Sequence, residues 1–406
     1  MKKILLTLFM AGIACTIASS TALAQTNADG SISIPIYATN GVNYTPSHYT
    51  IYAAIGGGPL VPYLFDTGAP YLMSFYNTDL SQTNTNGLFT FSTGLTYYYQ
   101  SLNDSISLGS NNSTNVIVSS GSINYGQVRY TNGDAYNSGG IISNATSGTN
   151  PTLNGTYGDF GAGFYGNSAL GTILTQMPLT NTLSLGYTLD LTTNLIAASG
   201  QGSLTLGVSQ ALLDSYATNP NVIKMALSPS GTMIPTAGGT TNGYGRAQVA
   251  NVAVTLTSSN GMTTNSLIPY VLDTGGGPNA VIYATNLAGY GGATNLVVST
   301  TNAINPQILE TVLSNSTPWG GGVDVISNPT YGGLTNGGER MNSGGYFFDS
   351  NIVTFDIKGG YVYILPVGAV PEPSSPLLLL TGGLLLVGYG AFQRGRPSQK
   401  GLATPS

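Results

Sequence analysis

Two stretches of the chain decide its fold: YLFDTGA at residues 63–69 and YVLDTGG at residues 270–276. In each, an apolar run that favours a β-strand ends at an aspartate, Asp66 or Asp273, and the small residues that follow permit a tight turn. A strand that ends in such a turn can present a carboxylate on rigid backbone. The two aspartates stand 273 − 66 = 207 residues apart, about half the chain. A duplicated fold would place one aspartate in each half, facing the other across a cleft.

A single Asp-Thr-Gly triplet would carry little weight in this chain. With 56 Gly and frequent Thr, such a triplet arises by chance, and an Asx-type turn explains it without any chemistry. Two triplets in matching contexts, each after an apolar strand, are much harder to explain in this way. The pair therefore indicates a site made of two carboxyl groups.

The composition limits the class of protein. With 406 residues, of which 41% are hydrophobic, the chain can bury a large core in two domains or in one bilobal domain. Charged residues make up only 6%, far below the roughly 25% of an average globular protein, so Asn, Ser, Thr, Gly and Tyr must cover the surface. The net charge of −5 comes with no basic stripe for phosphates, which argues against a nucleic acid partner.

The N-terminus has the pattern of a secretory signal peptide. Two lysines precede an apolar run, and ALA at 22–24 precedes a predicted cut before Gln25, so we expect export and removal of residues 1–24. Cys15, the only cysteine, lies inside this segment, which leaves a lipoprotein signal open as an alternative. After the predicted cut, the chain has no thiol nucleophile and no thiolate metal site.

The single histidine excludes further chemistry. His48 lies in the polar stretch PSHY at 46–49 with no clustered partner ligands, so we expect it at the surface. A Ser-His-Asp triad stays formally open, but no nucleophile-elbow motif accompanies it. If the protein is an enzyme, carboxyl groups must therefore carry out the reaction, and we expect neither a metal nor a cofactor.

Alternating apolar and polar residues along the rest of the chain predict an all-β protein. Strands are predicted at 32–37, 49–55 and 104–109, and a hairpin is predicted from 352–357 and 361–365. Few stretches have helical spacing, which agrees with this fold class.

Other segments receive different assignments. A helix is predicted over Ser168–Met177, where apolar residues recur at helical spacing, and a short helix or turn is predicted at 209–214. Residues 120–158 are predicted to be loops with short strands, and Gly-rich loops are predicted over 275–345.

The C-terminal segment differs abruptly in composition from the rest. VPEP at 370–373 precedes an apolar helix predicted over 376–392, and two arginines follow it. This run barely reaches the length that spans a bilayer, and the arginines would stay on the cytoplasmic side. An ordinary tail anchor is one interpretation of this segment.

Residues 31–366 resemble a pepsin-type aspartic peptidase in more than the paired triplets. DSISLG at 104–109 resembles the strand after the flap of that family, and DFGAG at 159–163 resembles the element that braces the first catalytic loop. The segment from Gly344 to Leu365 resembles the family's closing segment. The resemblance implies an all-β, bilobal pepsin-like fold with an active-site cleft between its lobes.

The resemblance also implies a secreted aspartic endopeptidase with a polypeptide substrate. Its N-terminal lobe would span residues 25–205 and its C-terminal lobe residues 206–366. Asp66 and Asp273 would hold the attacking water. Two carboxyl groups in contact cannot both ionise, so they share one proton. The ionised group then takes a proton from water while the other polarises the scissile carbonyl.

Residues beside the aspartates take supporting roles in this resemblance. Thr67 and Thr274 would link the two loops through their hydroxyl groups. Gly68 and Gly275 would let backbone N–H groups approach the carboxylates.

The sequence departs from the family pattern directly after each triplet. A residue with a hydroxyl group usually stands there, but here the residues are Ala69 and Gly276. A hydroxyl donor stabilises the ionised carboxylate and lowers its pKa. We therefore expect the pair of aspartates to ionise at a higher pH than in an enzyme with both hydroxyl groups.

The flap departs from the pattern as well. The family usually has a tyrosine before a Gly-rich tip, and Phe91 takes that place here, with Gly94 after it, in a hairpin predicted at 89–95. The tyrosines at 97–99 and Tyr130 are substitutes for Phe91 in this role.

The segment 367–406 resembles the PEP-CTERM sorting signal of surface-associated Gram-negative proteins. This implies transient membrane attachment through the helix 376–392, a sorting enzyme of the exosortase type as a partner, and a final position at the cell surface or outside the cell. One alternative function is a catalytically decayed pepsin-like module that binds peptide or exopolysaccharide; another is an adhesin of Asn- and Thr-rich strands. Intact Asp66 and Asp273 favour the enzyme, whereas the altered flap and Gly276 favour decay.

Overall fold

The computed structural model covers most of the chain between the predicted signal and the predicted tail. The residues described are 25–40, 46–75, 85–91, 95–111, 115–132, 140–141, 155–165, 170–192, 196, 199–277, 280–290, 295–301, 307–313, 324–326 and 338–367. The predicted signal peptide with Cys15, and the predicted tail beyond Val367 with its apolar helix, lie outside them. Within these ranges, no helix has the length and apolar character needed to cross a membrane.

The fold is all-β, as predicted. The first strands are β1 (Gln25–Thr26), β2 (Ile32–Asn40), β3 (Pro46–Ile55), β4 (Val61–Asp66), β5 (Leu72–Ser74), β6 (Gly87–Thr90), β7 (Thr96–Gly109), β8 (Val116–Asn132), β9 (Gly140–Ile141), β10 (Gly158–Gly161), β11 (Leu183–Asp190) and β12 (Gln201–Ser209). They account for the alternation in the sequence, because side chains on opposite faces of a strand meet core and solvent in turn.

The second half adds ten strands and two short α-helices. In chain order these elements are α1 (Gln210–Thr218), β13 (Ile223–Thr236), β14 (Gly239–Thr257), β15 (Thr263–Val271), β16 (Val281–Tyr283), β17 (Asn295–Ser299), β18 (Ile308–Leu313), β19 (Asp324–Ile326), β20 (Arg340–Asn342), α2 (Tyr346–Asp349), β21 (Asn351–Asp356) and β22 (Tyr361–Pro366). Two 3-10 segments, Leu174–Gln176 and Thr285–Tyr290, are also present, and Ile196 and Ser199 have helical backbone as well. The helix or turn predicted at 209–214 is α1, and Ser209 caps it by accepting a hydrogen bond from the Leu212 N–H.

The described strands form two sheets that share one strand. In the first sheet, β2 pairs with β1, β3 and β12, and the series continues from β12 through β11 and β21 to β22. The first part of β13, residues 223–226, pairs with β22, and its second part, residues 227–236, pairs with β14 of the second sheet. The strands β21 and β22 are the predicted C-terminal hairpin. They therefore join the end of the chain to the sheet of its first half.

The pairing around each Asp-Thr-Gly loop is the same in both halves. In the first half, β4 lies parallel to β10, β10 lies antiparallel to β5, and β5 lies parallel to β8. In the second half, β15 lies parallel to β20, β20 lies antiparallel to β16, and β16 lies parallel to β19. This repeat confirms the bilobal all-β fold predicted from the duplicated motif. Residues 205 and 206, where the sequence predicts the border between lobes, both lie within β12, and that border stays a prediction.

Three predicted segments differ in the structure. Of the described part of the helix predicted over Ser168–Met177, residues 170–177, only the turn Leu174–Gln176 is helical. The turn ends there because Met177 precedes Pro178 and is extended, with ψ of 141°. In the region 120–158, predicted to be loops with short strands, residues 120–132 belong to the long strand β8, whose polar residues pair in an antiparallel ladder with β7. The loop region predicted at 275–345 contains five strands, β16 to β20. Non-local pairing forms these strands despite weak local periodicity.

Candidate active site

Hydrogen bonds between two threonines hold the Asp-Thr-Gly loops together. The Thr67 hydroxyl donates to the Leu272 carbonyl at 2.6 Å and accepts from the Thr274 N–H at 3.0 Å. In the same way, the Thr274 hydroxyl donates to the Phe65 carbonyl at 2.8 Å and accepts from the Thr67 N–H at 3.0 Å. Both threonines are buried, at 0% and 1% exposed. The structure thus places them in the linking position that the sequence predicted.

Each glycine of the triplets lies against the aspartate of the opposite loop. A Cβ atom on Gly68 would stand 2.5 Å from the Asp273 Cγ atom, and a Cβ atom on Gly275 would stand 2.2 Å from the Asp66 Cγ atom. No side chain fits at these distances, so only glycine lets the two loops come so close. Asp66 and Asp273 are thereby brought side by side, although they are 207 residues apart.

The two carboxyl groups differ in their hydrogen-bond donors. The Asp66 Oδ1 atom accepts from the Gly68 N–H at 2.6 Å and from the Ala69 N–H at 3.1 Å. The Asp273 Oδ1 atom accepts from the N–H groups of Gly275 and Gly276, both at 2.9 Å. The difference lies at the second oxygen of Asp273. It accepts a further hydrogen bond, at 2.7 Å, from the side-chain amide of Asn342 on β20.

Burial raises the pKa of both aspartates, which are only 6% and 7% exposed. The pKa of Asp66 stands well above its ordinary value, since electrostatic interactions with the carboxyl groups of Asp273 and then Asp159 add to the effect of burial. For Asp273, hydrogen bonding to Asp66, the two backbone donors and the positive charge of Arg340 oppose that effect. The site therefore favours a protonated Asp66 beside an ionised Asp273, which are the two protonation states that acid–base chemistry on one water requires.

Asn342 is a site residue that the sequence analysis missed. The absence of a hydroxyl group at Gly276 led to the expectation that the carboxylates lack side-chain donors, and Asn342 supplies one to Asp273. The signal is present in the sequence: NSG at 342–344 matches DFG at 159–161, the segment that resembles the brace of the first loop. The match becomes visible only once both segments are known to pair with the strands that lead to the aspartates.

A pocket opens above the two carboxyl groups. The residues that line it come from both halves of the chain: Asp66, Gly68, Phe89, Thr90, Phe91, Tyr165, Val271, Asp273, Arg340 and Asn342. Tyr165, which the sequence analysis did not single out, donates from its hydroxyl group to the Gly68 carbonyl at 2.9 Å. The pocket thus has a polar floor of carboxyl and amide groups and an aromatic wall.

The aromatic wall belongs to the predicted flap. Strands β6 and β7 form the predicted hairpin, and the Phe91 N–H donates to the Leu95 carbonyl at 2.8 Å where the strands end. Phe91 reaches the pocket, whereas Tyr97 is 1% exposed and packs against Phe91 with ring centroids 4.7 Å apart. Tyr97 is therefore not a substitute for Phe91 in the pocket wall. Gly94, the second residue assigned to the flap, lies outside the described residues.

His48 is less exposed than its polar neighbours predict. It belongs to β3, is partly buried, and has a pKa lowered by that burial. It pairs in register with Thr39 of β2, because the polar stretch at 46–49 begins a strand rather than a turn. Among the residues described, no three His, Cys, Asp or Glu side chains group closely enough to hold a metal ion.

Comparison with known proteins gives a likeness of fold alone. No protein-family profile matches the chain. No curated protein matches it either. Among solved structures, the chain is similar to the aspartic proteinase from Irpex lacteus, with 14% sequence identity, a TM-score of 0.48, and coverage of 84% of this chain and 99% of that chain. Function must be judged from the residues of the site itself.

Proposed function

We propose that the protein is an aspartic endopeptidase that hydrolyses peptide bonds with a water molecule held between Asp66 and Asp273. The observation that carries this proposal is the reciprocal linkage of the two loops by Thr67 and Thr274, which holds two buried carboxyl groups side by side. Two surface turns with no chemical role would not need four buried hydrogen bonds between them. A rigid pair of carboxyl groups does require such support.

The assignment of protons gives each aspartate a role. Asp273, ionised beside its three N–H donors, takes a proton from the water as its oxygen attacks the scissile carbonyl carbon. Asp66, protonated, donates its proton to the carbonyl oxygen, so that a neutral tetrahedral intermediate forms. The proton on Asp273 then passes to the leaving nitrogen as the C–N bond breaks, and Asp66 recovers its proton from the collapsing hydroxyl group. Neither step needs a further acid or base.

The hairpin β6–β7 supports the proposal as the flap of the cleft. Phe89 and Phe91 both line the pocket, and their rings pack with centroids 4.9 Å apart. An apolar cover excludes water and strengthens the electrostatic interactions of the two carboxyl groups with a bound peptide. Phe91 therefore takes the position of a flap residue, with contacts to substrate that are apolar only.

The test is cleavage of a denatured polypeptide across the acidic and neutral pH range by the full chain, with Asp66→Asn as the inactive control. A peptide in which a hydroxyethylene unit replaces the scissile bond mimics the tetrahedral intermediate and is expected to inhibit. Cleavage by the wild type but not by the variant, blocked by the mimic, supports the enzyme. Binding of the mimic without cleavage at any pH would instead support the alternative, a decayed module that binds peptide or exopolysaccharide.

The proposal extends to where the enzyme acts. The signal pattern at 1–24 and the VPEP motif at 370–373, followed by the apolar run 376–392, support export and sorting to the cell surface by an exosortase-type enzyme. Mass spectrometry of the mature surface protein tests this. We expect chains that begin at Gln25 and lack residues from about Leu377 onward on the motif evidence. An intact C-terminus in that pool would contradict the sorting proposal without affecting the proposed chemistry.

A further inference from the structure

A third carboxyl group lies beside the pair of aspartates, on the strand that braces the first loop. Asp159 belongs to β10 and is 1% exposed. It pairs in register with Leu64 of β4 on one side and with Met73 of β5 on the other, and both neighbours are buried apolar residues. A carboxyl group in such surroundings has lost its water without gaining an ion pair, so its presence requires an explanation.

Asp159 and Asn342 occupy equivalent places in the two halves. Asp159 pairs in parallel with Leu64, which stands two residues before Asp66, and Asn342 pairs in parallel with Val271, which stands two residues before Asp273. The Asn342 amide donates to the Asp273 Oδ2 atom at 2.7 Å. A protonated carboxyl group has nearly the same shape as an amide and offers an O–H donor in place of the N–H.

We propose that Asp159 is a third carboxyl group of the site, a positioning residue that stays protonated and donates a hydrogen bond to Asp66, as Asn342 does to Asp273. This inference rests on the proposed function for its kinetic consequences. The two residues differ in one respect: the Asp159 carboxyl group can ionise, whereas the Asn342 amide cannot. The loop that holds the proton donor of the reaction is thereby supported by a group that is itself sensitive to pH.

The surroundings of Asp159 favour its protonated form. The strand β5 contributes no titratable group, the Asp159 Oδ1 atom has no hydrogen-bond partner among the described residues, and the charged groups nearby are Asp66 and Asp273. Burial and then the negative charge of Asp273 raise the pKa of Asp159 well above its ordinary value, while hydrogen bonding with Asp66 acts in the opposite direction. Arg340 lowers the pKa of Asp273, and Tyr187 faces Asp66 while its hydroxyl group donates to a backbone carbonyl.

The consequence for the reaction appears at the basic side of the pH profile. As the pH rises through the pKa of Asp159, Asp66 loses its O–H donor, so the rate should fall even though the new negative charge holds the proton on Asp66. The protons of such a cluster leave in steps that belong to the group as a whole. Asp159→Asn keeps a donor that cannot ionise, so the basic limb should move to higher pH. Asn342→Asp adds a second group that can ionise, so it should move the basic limb to lower pH.

The experiment compares kcat and kcat/KM against pH for the wild type, Asp159→Asn, Asn342→Asp and Asp159→Leu. We expect opposite shifts of the basic limb for the first two variants, by at least about one pH unit, and about a tenfold or greater loss of kcat for Asp159→Leu, because a hydrogen bond to a carboxyl group is removed. Rescue of that loss by Asn identifies the donor as the cause. An unmoved limb in Asp159→Asn, or equal kcat in the Leu and Asn variants, would overturn the inference.

A second readout does not depend on cleavage. Because the folded state holds the Asp159 proton more tightly than the unfolded chain, where the pKa is about 3.9, the wild type should lose stability as the pH rises above that value. Urea midpoints of Asp159→Asn should lose less over the same range. Asp349→Asn is the control, since it removes a buried carboxyl group outside the pocket whose pKa is raised to about 6 and which accepts from Tyr49.

The Asp349→Asn control distinguishes the loss of any buried carboxyl group from the loss of Asp159 beside the active-site pair. Asp349→Asn should flatten the stability profile between about pH 4 and 6 and leave the basic limb of the rate profile in place. If the wild type cleaves nothing, the urea midpoints still decide whether Asp159 is a protonated group. If it cleaves but Asp159→Asn has the same stability profile as the wild type, the third carboxyl group is overturned and the endopeptidase stands.

Discussion

The two Asp-Thr-Gly loops are alike in backbone and different in what stands beside them. Each ends a strand that is braced by a parallel neighbour, and each presents its aspartate through the same glycine turn. At equivalent positions of the braces stand Asp159 in the first half and Asn342 in the second. The Asn342 amide cannot ionise, whereas the Asp159 carboxyl group can. A duplicated fold supplies the two aspartates, and the exchange of one neighbouring side chain places a titratable group beside the first aspartate only.

The halves also differ in how they contribute to the pocket above the carboxyl groups. The first half supplies the aromatic side chains of the hairpin β6–β7, anchored in a cluster that includes Tyr71, Met73 and Phe75. The second half supplies Arg340 and Asn342. The apolar wall of the pocket thus comes from the first half, whereas the polar side chains Arg340 and Asn342 beside the carboxyl groups come from the second.

The largest expected effect comes from removing either carboxyl group. Asp66→Asn and Asp273→Asn should each lower kcat by about 10²–10⁴-fold or more, because each removes one partner of the acid–base pair. Thermal unfolding should show that both variants stay folded. Full activity in either one would break the comparison at its base, since it would mean that one carboxyl group is sufficient.

Removal of the Asn342 amide should act on one loop only. In Asn342→Leu, the ionised Asp273 loses a donor, and a hydrogen bond to a charged group contributes about 1.5–3 kcal/mol, so its pKa should rise by about one to two units. The acid limb of the pH–rate profile should move to higher pH by that amount, since Asp273 must be ionised to act. An acid limb that stays in place would show that the backbone donors suffice.

A residue with a hydroxyl group at position 276 could not take over the role of Asn342 as a donor to Asp273. A Cβ atom on Gly276 would stand only 2.9 Å from the Asp273 Oδ2 atom. A threonine at this position would therefore have to displace the carboxylate that it should support, and Asn342→Leu is the sharper test.

The threonine links should be equal in the two halves. Thr67→Val and Thr274→Val keep the side-chain shape, but each leaves a buried carbonyl and a buried N–H without a partner, at a cost of about 1–3 kcal/mol. The double variant should cost less than the sum, because the two hydroxyl groups share one network. Urea midpoints measure this, with Thr255→Val as the control, since its hydrogen bond to Asn265 is exposed. Unequal or fully additive losses would contradict a reciprocal link.

The smallest expected effect concerns the hairpin of the first half. Phe91→Ala should raise KM by up to about tenfold, because it removes part of the apolar surface that a substrate would cover, at about 25 cal/mol per Å². Leu88→Ala on the same hairpin is the matched control, since Leu88 is 61% exposed and does not line the pocket. Equal KM values for both variants would show that the hairpin does not contact substrate.

The class of fold and the central pair of aspartates could be predicted from the sequence alone. Strand periodicity is a local signal, and the turns at Asp66 and Asp273 consist of adjacent residues, so both can be read without knowing which strands pair. The linking role of Thr67 and Thr274 came from the resemblance. The predictions for the two aspartates and the two threonines all depend on motifs that are contiguous in the chain. This explains why the structure places these residues where the sequence analysis expected them.

The residues that surround this pair could be identified only from the way in which the strands pair. Asn342 reaches Asp273 because β20 pairs with β15 in one register, and Asp159 approaches Asp66 because β10 pairs with β4 in the equivalent register. A slip of one residue would turn both side chains to the opposite face of the sheet. Register between strands far apart in the chain is fixed by packing of the whole core, and no local pattern encodes it. For this reason the protonation of each aspartate could not be assigned from the sequence.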